Sequence, residues 1–411
     1  MKTLLVVLDG ASDRACDELD GKTPLEAAST PNLDFFAKEG KQGYSHLVSE
    51  NVTPESNEGV FAILGYNPEI ISRGTIEAIG ADVKLNYGDL ALRTNFATVN
   101  NIKEGKIIDR RAGRTLTTRE SLILAKAINK GVKIPYKFVF KPTVQHRGIL
   151  VIKGGFSDNI TDTDVSVFKP KKQDELHYSI PLDDDETSKL SANIVNEFVE
   201  HSYFILKNHP INKMRAEKKL LPANIILTRD AGSEFREIEK IPGKWAAVAG
   251  MPLEKGIAKL AGMQLYPVNL PEMKNYDVYK NLYASLNATI EQAKKHILRN
   301  SKKHDYFYIH FKETDLPGHD NRPLDKKKMI EIIDKEFFGF VRQLESKEKF
   351  KIIVTVDHAT ACNLKLHCSD AVPLLIYGIG RDDTARFSEK ESKKGSLGNT
   401  ASSGILKLIL A

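Results

Sequence analysis

Three apolar runs in this chain end abruptly in acidic residues. The stretch Phe350–Asp370 reads FKIIVTVDHATACNLKLHCSD. Its β-branched run Ile352–Val356 stops at Asp357-His358, and His367 follows nine residues after His358. Asp305–Lys312 (DYFYIHFK) leads into Glu313-Thr314-Asp315-Leu316-Pro317-Gly318-His319, and Lys2–Leu8 (KTLLVVL) runs into Asp9-Gly10. Carboxylate oxygen and imidazole nitrogen both suit a divalent cation such as zinc or manganese. Any one pair reads equally well as a turn-capping aspartate beside a surface histidine. Together the three would crowd carboxylates that repel one another, a pattern that asks for one or more divalent metals.

Delivering those residues to one place requires strands that end at one edge. Each run is short, apolar and without helical period, so each predicts a buried strand. Ligands of open α/β sheets bind beyond the carboxyl ends of such strands. Around them, Asp13–Ala28 reads as a polar loop. Thr30-Pro31 opens a helix that Gly40 ends. Glu186–Lys207, Glu254–Ala261, Tyr279–Asn300, Lys326–Leu344 and Ser402–Leu410 read as helices, and Lys244–Ala249 and Val372–Tyr377 as strands. Helices and strands alternate at both ends of the chain, which predicts a mostly parallel sheet there. Ser56 lies in a polar turn ahead of a helical segment, Val60–Leu64. It reads either as that helix's N-cap or as a serine placed for phosphorylation, facing free N–H groups and the positive end of the helix dipole.

The texture changes near Ala81. From there to about Lys240 the chain looks inserted, with predicted strands at Leu90–Val99, Lys106–Asp109, Lys137–Phe140, Gly148–Lys153 and Asn224–Leu227. Arginines punctuate them at Arg93, at Arg110, Arg111 and Arg114, and at His146-Arg147; the guanidinium fork matches carboxylate and phosphate. Ser157–Asp164 reads as a loop of Asx turns and lacks the glycine and terminal glutamate of an EF-hand. Lys255, near a helix N-terminus, reads as an anion contact or a solvated first-turn lysine.

Composition excludes several classes. The 411 residues are 41% hydrophobic and 28% charged, an ordinary globular balance with room for two domains. Three cysteines, Cys16, Cys362 and Cys368, give no disulfide framework, and the last two read as reduced bystanders. No apolar run approaches membrane length, and Leu4–Leu8 is too short for a signal sequence, so the expected location is cytoplasmic. The net charge of +6 carries no dense basic arm, which argues against nucleic acid and for a small anionic substrate. Lys326-Lys327-Lys328 reads as a solvated helix face.

Taken in order, VVLDG at 6–10, TPLEAASTPNLD at 23–34, PESN and LGYNP within 54–68, RTNFATV at 93–99 and DRRAGR at 109–114 resemble the archaeal cofactor-independent phosphoglycerate mutases of the alkaline phosphatase superfamily. HRGILVIKG at 146–154, DTD at 162–164, HPIN at 209–212, KETDLPGHD at 312–320, VDHATAC at 356–362 and HCSDAVPLLIYG at 367–378 carry the resemblance across nearly the whole chain. It implies an α/β fold: an alkaline-phosphatase-like, mostly parallel sheet flanked by helices over 1–80 and 241–411, with a second α/β (α+β) substrate domain inserted at 81–240. It implies one divalent metal on Asp315, His319 and His367, and a second on Asp9, Ser56, Asp357 and His358. Manganese is expected first, with zinc, magnesium or cobalt as alternatives. Ser56 becomes the nucleophile for interconverting 3-phosphoglycerate and 2-phosphoglycerate without bisphosphoglycerate. Arg93, Arg110, Arg111, Arg114, His146, Arg147, Asp162, Asp164, Lys255 and Lys312 fall in substrate-binding or positioning segments. Two segments depart from the family pattern: Glu55-Ser56-Asn57 stands for Gly-Ser-Asp, and Val356-Asp357-His358-Ala359-Thr360-Ala361-Cys362 for Gly-Asp-His-Ser-Thr-Pro-Cys. A metal-dependent phosphatase or another phosphomutase of the superfamily is the alternative activity, and a catalytically silent binding protein the alternative of another class.

Overall fold

A computed structural model describes residues 1–164, 175–273 and 276–411. Its strands, in chain order, are β1 (Lys2–Leu8), β2 (Gly40–Ser45), β3 (Leu90–Val99), β4 (Ile107–Asp109), β5 (Phe138–Pro142), β6 (Arg147–Ile152), β7 (Ile225–Gly232) and β8 (Trp245–Ala249). The later ones are β9 (Gln264–Pro267), β10 (Tyr306–Phe311), β11 (Phe350–Thr355), β12 (Ala359–Ala361), β13 (Leu366–Cys368), β14 (Val372–Tyr377) and β15 (Gly398–Asn399). Eight of them form one sheet in the order β15-β2-β14-β11-β1-β10-β8-β9. Only β14 runs against the rest. Strands buried on both faces read as continuous apolar runs, and that is why Leu4–Leu8 has no alternation: all five side chains are fully buried between helical layers.

Register then does the positioning. In parallel pairing Leu8 lies beside Phe311, and Val7 beside Thr355. The next residues of β1, β10 and β11 therefore leave the sheet side by side, which brings Asp9, Lys312 and Asp357 to one edge. Around this sheet packs one large core drawn from Leu4–Ile76 and Ile241–Ile409.

The middle of the chain builds a second, antiparallel sheet, β4-β3-β6-β5, with β7 also paired to β3. Its own core draws on residues from Leu90 to Leu227, with the helices Thr118–Gly131 and Glu186–Leu206 over one face. The Arg73–Gly80 helix lies against the other face and also against the Pro252–Leu260 helix of the first unit. That crossing needs glycine: a Cβ on Gly256 would sit 2.0 Å from the Ile76 carbonyl oxygen, and one on Gly80 1.8 Å from that of Pro252.

Several expectations are corrected. Asp13–Ala28 is not all loop. It holds a 3₁₀ turn at Asp17–Leu19 and a short helix, Pro24–Ala27, closed by a reciprocal Thr23–Glu26 capping box. The helix expected over Lys326–Leu344 starts at Pro323, passes through a π-helical segment at Ile333–Phe338 and ends at Glu345. Gly40 begins β2 rather than merely ending a helix.

Lys326 is not solvated at all. It is fully buried, and its ammonium donates to Asp13 Oδ2 (2.7 Å), the Thr360 carbonyl (2.7 Å) and the Ser12 carbonyl (3.1 Å). Asp13 in turn accepts the Cys362 N–H at 2.9 Å, so this pair ties the segment after β1 to the loop after β11. Lys326→Met is expected to cost about 3–5 kcal/mol, because it strands a buried carboxylate and two carbonyls. Denaturant unfolding measures it; a loss below about 1 kcal/mol would show that water replaces the ammonium.

Candidate active site

The nucleophile candidate sits at the start of the Ser56–Ile63 helix, and Glu55, not Ser56, is its N-cap. Glu55 accepts the N–H of Glu58, while the Glu58 carboxylate accepts the N–H of Glu55. The Ser56 hydroxyl is thereby released from capping and turned inward. Gly59 permits the approach: a Cβ there would fall 1.9 Å from the Asp357 carbonyl oxygen. Buried Ser56 Oγ lies 2.9 Å from Lys312 Nζ and 3.1 Å from His358 Nε2.

Around it, three histidines have their tautomers set by what their Nδ1 atoms meet. His319 Nδ1 faces the Lys365 carbonyl at 3.0 Å, and His367 Nδ1 the Pro54 carbonyl at 3.2 Å, so both must carry the proton on Nδ1. Thr360 Oγ1 donates to Asp315 Oδ1 (2.8 Å) and so accepts from His358 Nδ1 (3.1 Å). All three Nε2 atoms are then lone pairs. Those of His319 and His367 stand 3.2 Å apart, and 3.4 and 3.7 Å from Asp315 Oδ1. That of His358 lies 3.4 Å from Asp9 Oδ1 and 3.7 Å from Asp357 Oδ2. Neither carboxylate oxygen has a hydrogen-bond partner among the described residues, although both are buried. Convergent lone pairs and orphaned buried carboxylate oxygens fit divalent cations.

Electrostatics agree with this fit. Burial works against the charge on Asp9, but Lys312, His310 and His358 hold it well below the usual carboxylate range. Burial, then the neighbouring Asp9, pushes Asp357 well above that range. Burial and His367 push His358 down to about 4, which keeps it neutral. Against the effect of burial, Asp315 and Glu55 raise the His367 imidazole, so the field there favours positive charge. Lys312 is raised by Asp9 and Glu254 despite its burial and stays charged. Glu313, buried beside the site, is pushed up to about 7 by burial, eased by Ser285 and Thr289. Its proton affinity is higher folded than unfolded, so stability falls as pH rises between about 4.5 and 7. Glu313→Gln is therefore expected to stabilise the metal-free protein at pH 8 by on the order of 3 kcal/mol, with the gain falling to about 1 kcal/mol at pH 5 and vanishing below about pH 4; thermal unfolding at pH 8 and pH 5 checks it.

The arginines gather on the second sheet and the helix beside it. Arg93 pairs with Glu77 and Asp230, Arg110 with Asp164, and Arg114 reaches across to Asp320, next to His319. Asp162 Oδ1 accepts the Asp230 N–H at 2.9 Å. Arg111 and Arg147 form no ion pair with a carboxylate among the described residues; burial and then neighbouring guanidiniums push Arg111 down, and burial, with Glu77 opposing and Arg93 and Arg73 adding, pushes Arg147 down. Burial, with Arg147 and Arg111, keeps His146 neutral. Within the group, only these two guanidiniums lack a carboxylate partner among the described residues. Lys255 stands apart: it is half-buried, and its neighbour Glu254, not Lys255 itself, comes within 4.0 Å of Lys312 Nζ. The three thiols are free and buried.

Sequence reasoning missed His310, Tyr308, Glu254, Arg73, Glu77, Arg229 and Thr360. For the first two a signal was present, since Tyr308, His310 and Lys312 alternate along one strand and share a face. The ion pairs of Arg73 with Glu55 and Glu77 carried only an i,i+4 hint.

The comparisons agree with this architecture. The family model described as 2,3-bisphosphoglycerate-independent phosphoglycerate mutase matches residues 37–212. A protein of that name from Thermococcus kodakarensis is 36% identical over 422 residues, covering 100% of this chain and 96% of the relative. One from Pyrococcus abyssi is 37% identical over 420 residues, covering 100% and 97%. The solved structure of the PH0037 protein from Pyrococcus horikoshii has a TM-score of 0.77 at 30% identity, covering 100% of this chain and 96% of that one. A cofactor-independent phosphoglycerate mutase from Thermoplasma acidophilum has a TM-score of 0.57 at 29% identity, covering 100% and 99%. With full-length relatives at this identity and a fold shared from end to end, the chain belongs to the 2,3-bisphosphoglycerate-independent phosphoglycerate mutase family.

Proposed function

We propose that this protein interconverts 3-phosphoglycerate and 2-phosphoglycerate, with Ser56 carrying the phosphoryl group between the two hydroxyls of the glycerate. The observation that carries the reading is the Ser56 hydroxyl, freed from capping and held between Lys312 Nζ and His358 Nε2, beside two buried carboxylate oxygens, Asp9 Oδ1 and Asp357 Oδ2, that have no hydrogen-bond partner among the described residues. Asp315, His319 and His367 would hold one divalent cation, and Asp9, Asp357, His358 and Ser56 a second; Mn2+ is our first choice. Bound cations would supply Lewis-acid stabilisation of the phosphoryl oxygens and lower the proton affinity of the serine hydroxyl.

The remaining work falls to the chain itself. Lys312, permanently charged, donates to Ser56 Oγ and stabilises the developing oxyanion as it attacks in line; the Oγ–P bond forms as the bond between phosphorus and the glycerate oxygen breaks, and that oxygen gains the proton that Ser56 gives up. Arg111 and Arg147, short of anions, take the carboxylate and phosphate of the substrate; Arg93, Arg110 and Arg114, with His146, Asp162 and Asp164, set the shape of that pocket. Residues 81–240 act as an inserted substrate domain over a core formed by 1–80 and 241–411. The Arg114–Asp320 pair holds the two together beside the site, so that glycerate reorients while water is kept from the phosphoserine. No diffusible bisphosphoglycerate takes part. We place the enzyme in the cytoplasm, acting on a small molecule and not on nucleic acid or membrane; no described helix is long and apolar enough to cross a membrane.

The test follows two products at once. Chelator-stripped protein resupplied with Mn2+ and given 3-phosphoglycerate alone is expected to yield 2-phosphoglycerate with little free phosphate. Free phosphate as the main product would overturn the mutase reading in favour of a phosphatase.

A further inference from the structure

His310 lies fully inside the site, yet the scheme above leaves it without a role. Its Nε2 stands 2.8 Å from Asp9 Oδ2 and its Nδ1 2.7 Å from the Tyr308 hydroxyl. By proximity alone, Asp9, His310 and Asp357 also form a group able to hold a metal. Two roles are therefore open, and each requires a different tautomer. A ligand would present an Nε2 lone pair and carry its proton on Nδ1. A positioning residue would carry the proton on Nε2 and donate it to Asp9.

Two observations decide between them. The Tyr308 side chain is fully buried, and its hydroxyl meets no hydrogen-bond partner other than His310 among the described residues. If Nδ1 held the proton, the phenolic hydrogen would be left unpaired in the interior, which is unfavourable. Asp9 Oδ2 also accepts from Lys312 Nζ, a fixed positive charge that competes with any cation for that oxygen. The three histidines assigned to cations differ in kind: each sets Nδ1 against an acceptor and turns a free Nε2 inward.

Resting on the two-cation reading above, we infer that His310 is a positioning residue. Tyr308 donates to His310 Nδ1, His310 donates from Nε2 to Asp9 Oδ2, and the carboxylate is fixed with Oδ1 facing His358 and the second cation. Partners of this kind orient a carboxylate and tune its basicity, and their loss typically costs 10–100-fold in metal affinity.

The test titrates Mn2+ into the stripped full-length chain and, without metal, reads histidine tautomers from long-range proton–nitrogen spectra. Wild type is expected to take two Mn2+ and to show His310 protonated on Nε2. Tyr308→Phe and His310→Leu should still take two, one of them roughly 10–100-fold weaker, and His310→Gln, which keeps an N–H near Asp9, should recover to within about threefold of wild type. In Tyr308→Phe the tautomer should become mixed. A third Mn2+ that disappears with His310→Leu, or an Nδ1–H tautomer in wild type, would overturn the inference. So would unchanged affinity in both variants, even with a lowered melting temperature. Wild type failing to take two Mn2+ would overturn the cation reading itself, and the inference with it.

Discussion

Ser56→Ala is expected to lower mutase turnover by at least about 10⁴-fold, the scale on which removal of a covalent nucleophile acts. The variant should fold normally. Ser56 does not cap its helix, since Glu55 and Glu58 close that end between them. The lost hydroxyl leaves Lys312 still paired with Asp9. Secondary structure and melting temperature should therefore stay close to wild type while 2-phosphoglycerate formation disappears. Asp9, Asp357 and His358 remain, so cation binding should persist at reduced affinity. Rapid quench with phosphate-labelled substrate should show a labelled protein in wild type and none in the variant. Mutase activity surviving in Ser56→Ala would remove the phosphoserine from the scheme and direct attention to direct transfer between bound molecules.

The second large effect is that of stripping the cations. Three carboxylates, three imidazole lone pairs and one lysine share the site, and two buried carboxylate oxygens there have no hydrogen-bond partner among the described residues. Such an arrangement is unfavourable when empty and is relieved by positive charge. Chelation is expected to abolish turnover, with recovery on adding Mn2+. It should also lower stability: a cation binding only the folded chain contributes about 4 kcal/mol at a thousandfold excess over its Kd. The two readouts separate the functions of the sites. A protein whose melting temperature responds to Mn2+ but whose activity survives chelation would have structural cations only, and the chemistry would have to rest on Lys312 and the arginines.

The two departures beside the nucleophile acquire different meanings. Glu55 is the helix cap and also an ion-pair partner of Arg73, 2.8 Å away, which in turn holds Glu77. From Glu77 the pairing continues to Arg93 and Asp230 on the second sheet. The carboxylate thus joins the start of the Ser56–Ile63 helix to the arginine cluster on the second sheet. Asn57 is buried with an unpartnered carbonyl oxygen, for which the structure offers no explanation.

What the sequence determined by itself was the set of elements whose signal is local. Lys2–Leu8, Leu90–Val99, Val372–Tyr377 and Ser402–Leu410 agree with the structure to the residue. An unbroken β-branched run or a helical apolar period is written within a few turns of chain. The acidic ends of β1, β10 and β11 were legible for the same reason. Tertiary structure decided which of these residues meet. Lys326 looks like one of three surface lysines until the chain brings Asp13 to it from 313 residues away. Ser56 looks like a cap until Glu55 is seen to do that work. His310 looks like part of a strand until parallel register sets Asp9 beside it. Pairings of this kind depend on the relative register of strands joined by long crossovers, and local propensity carries no information about register.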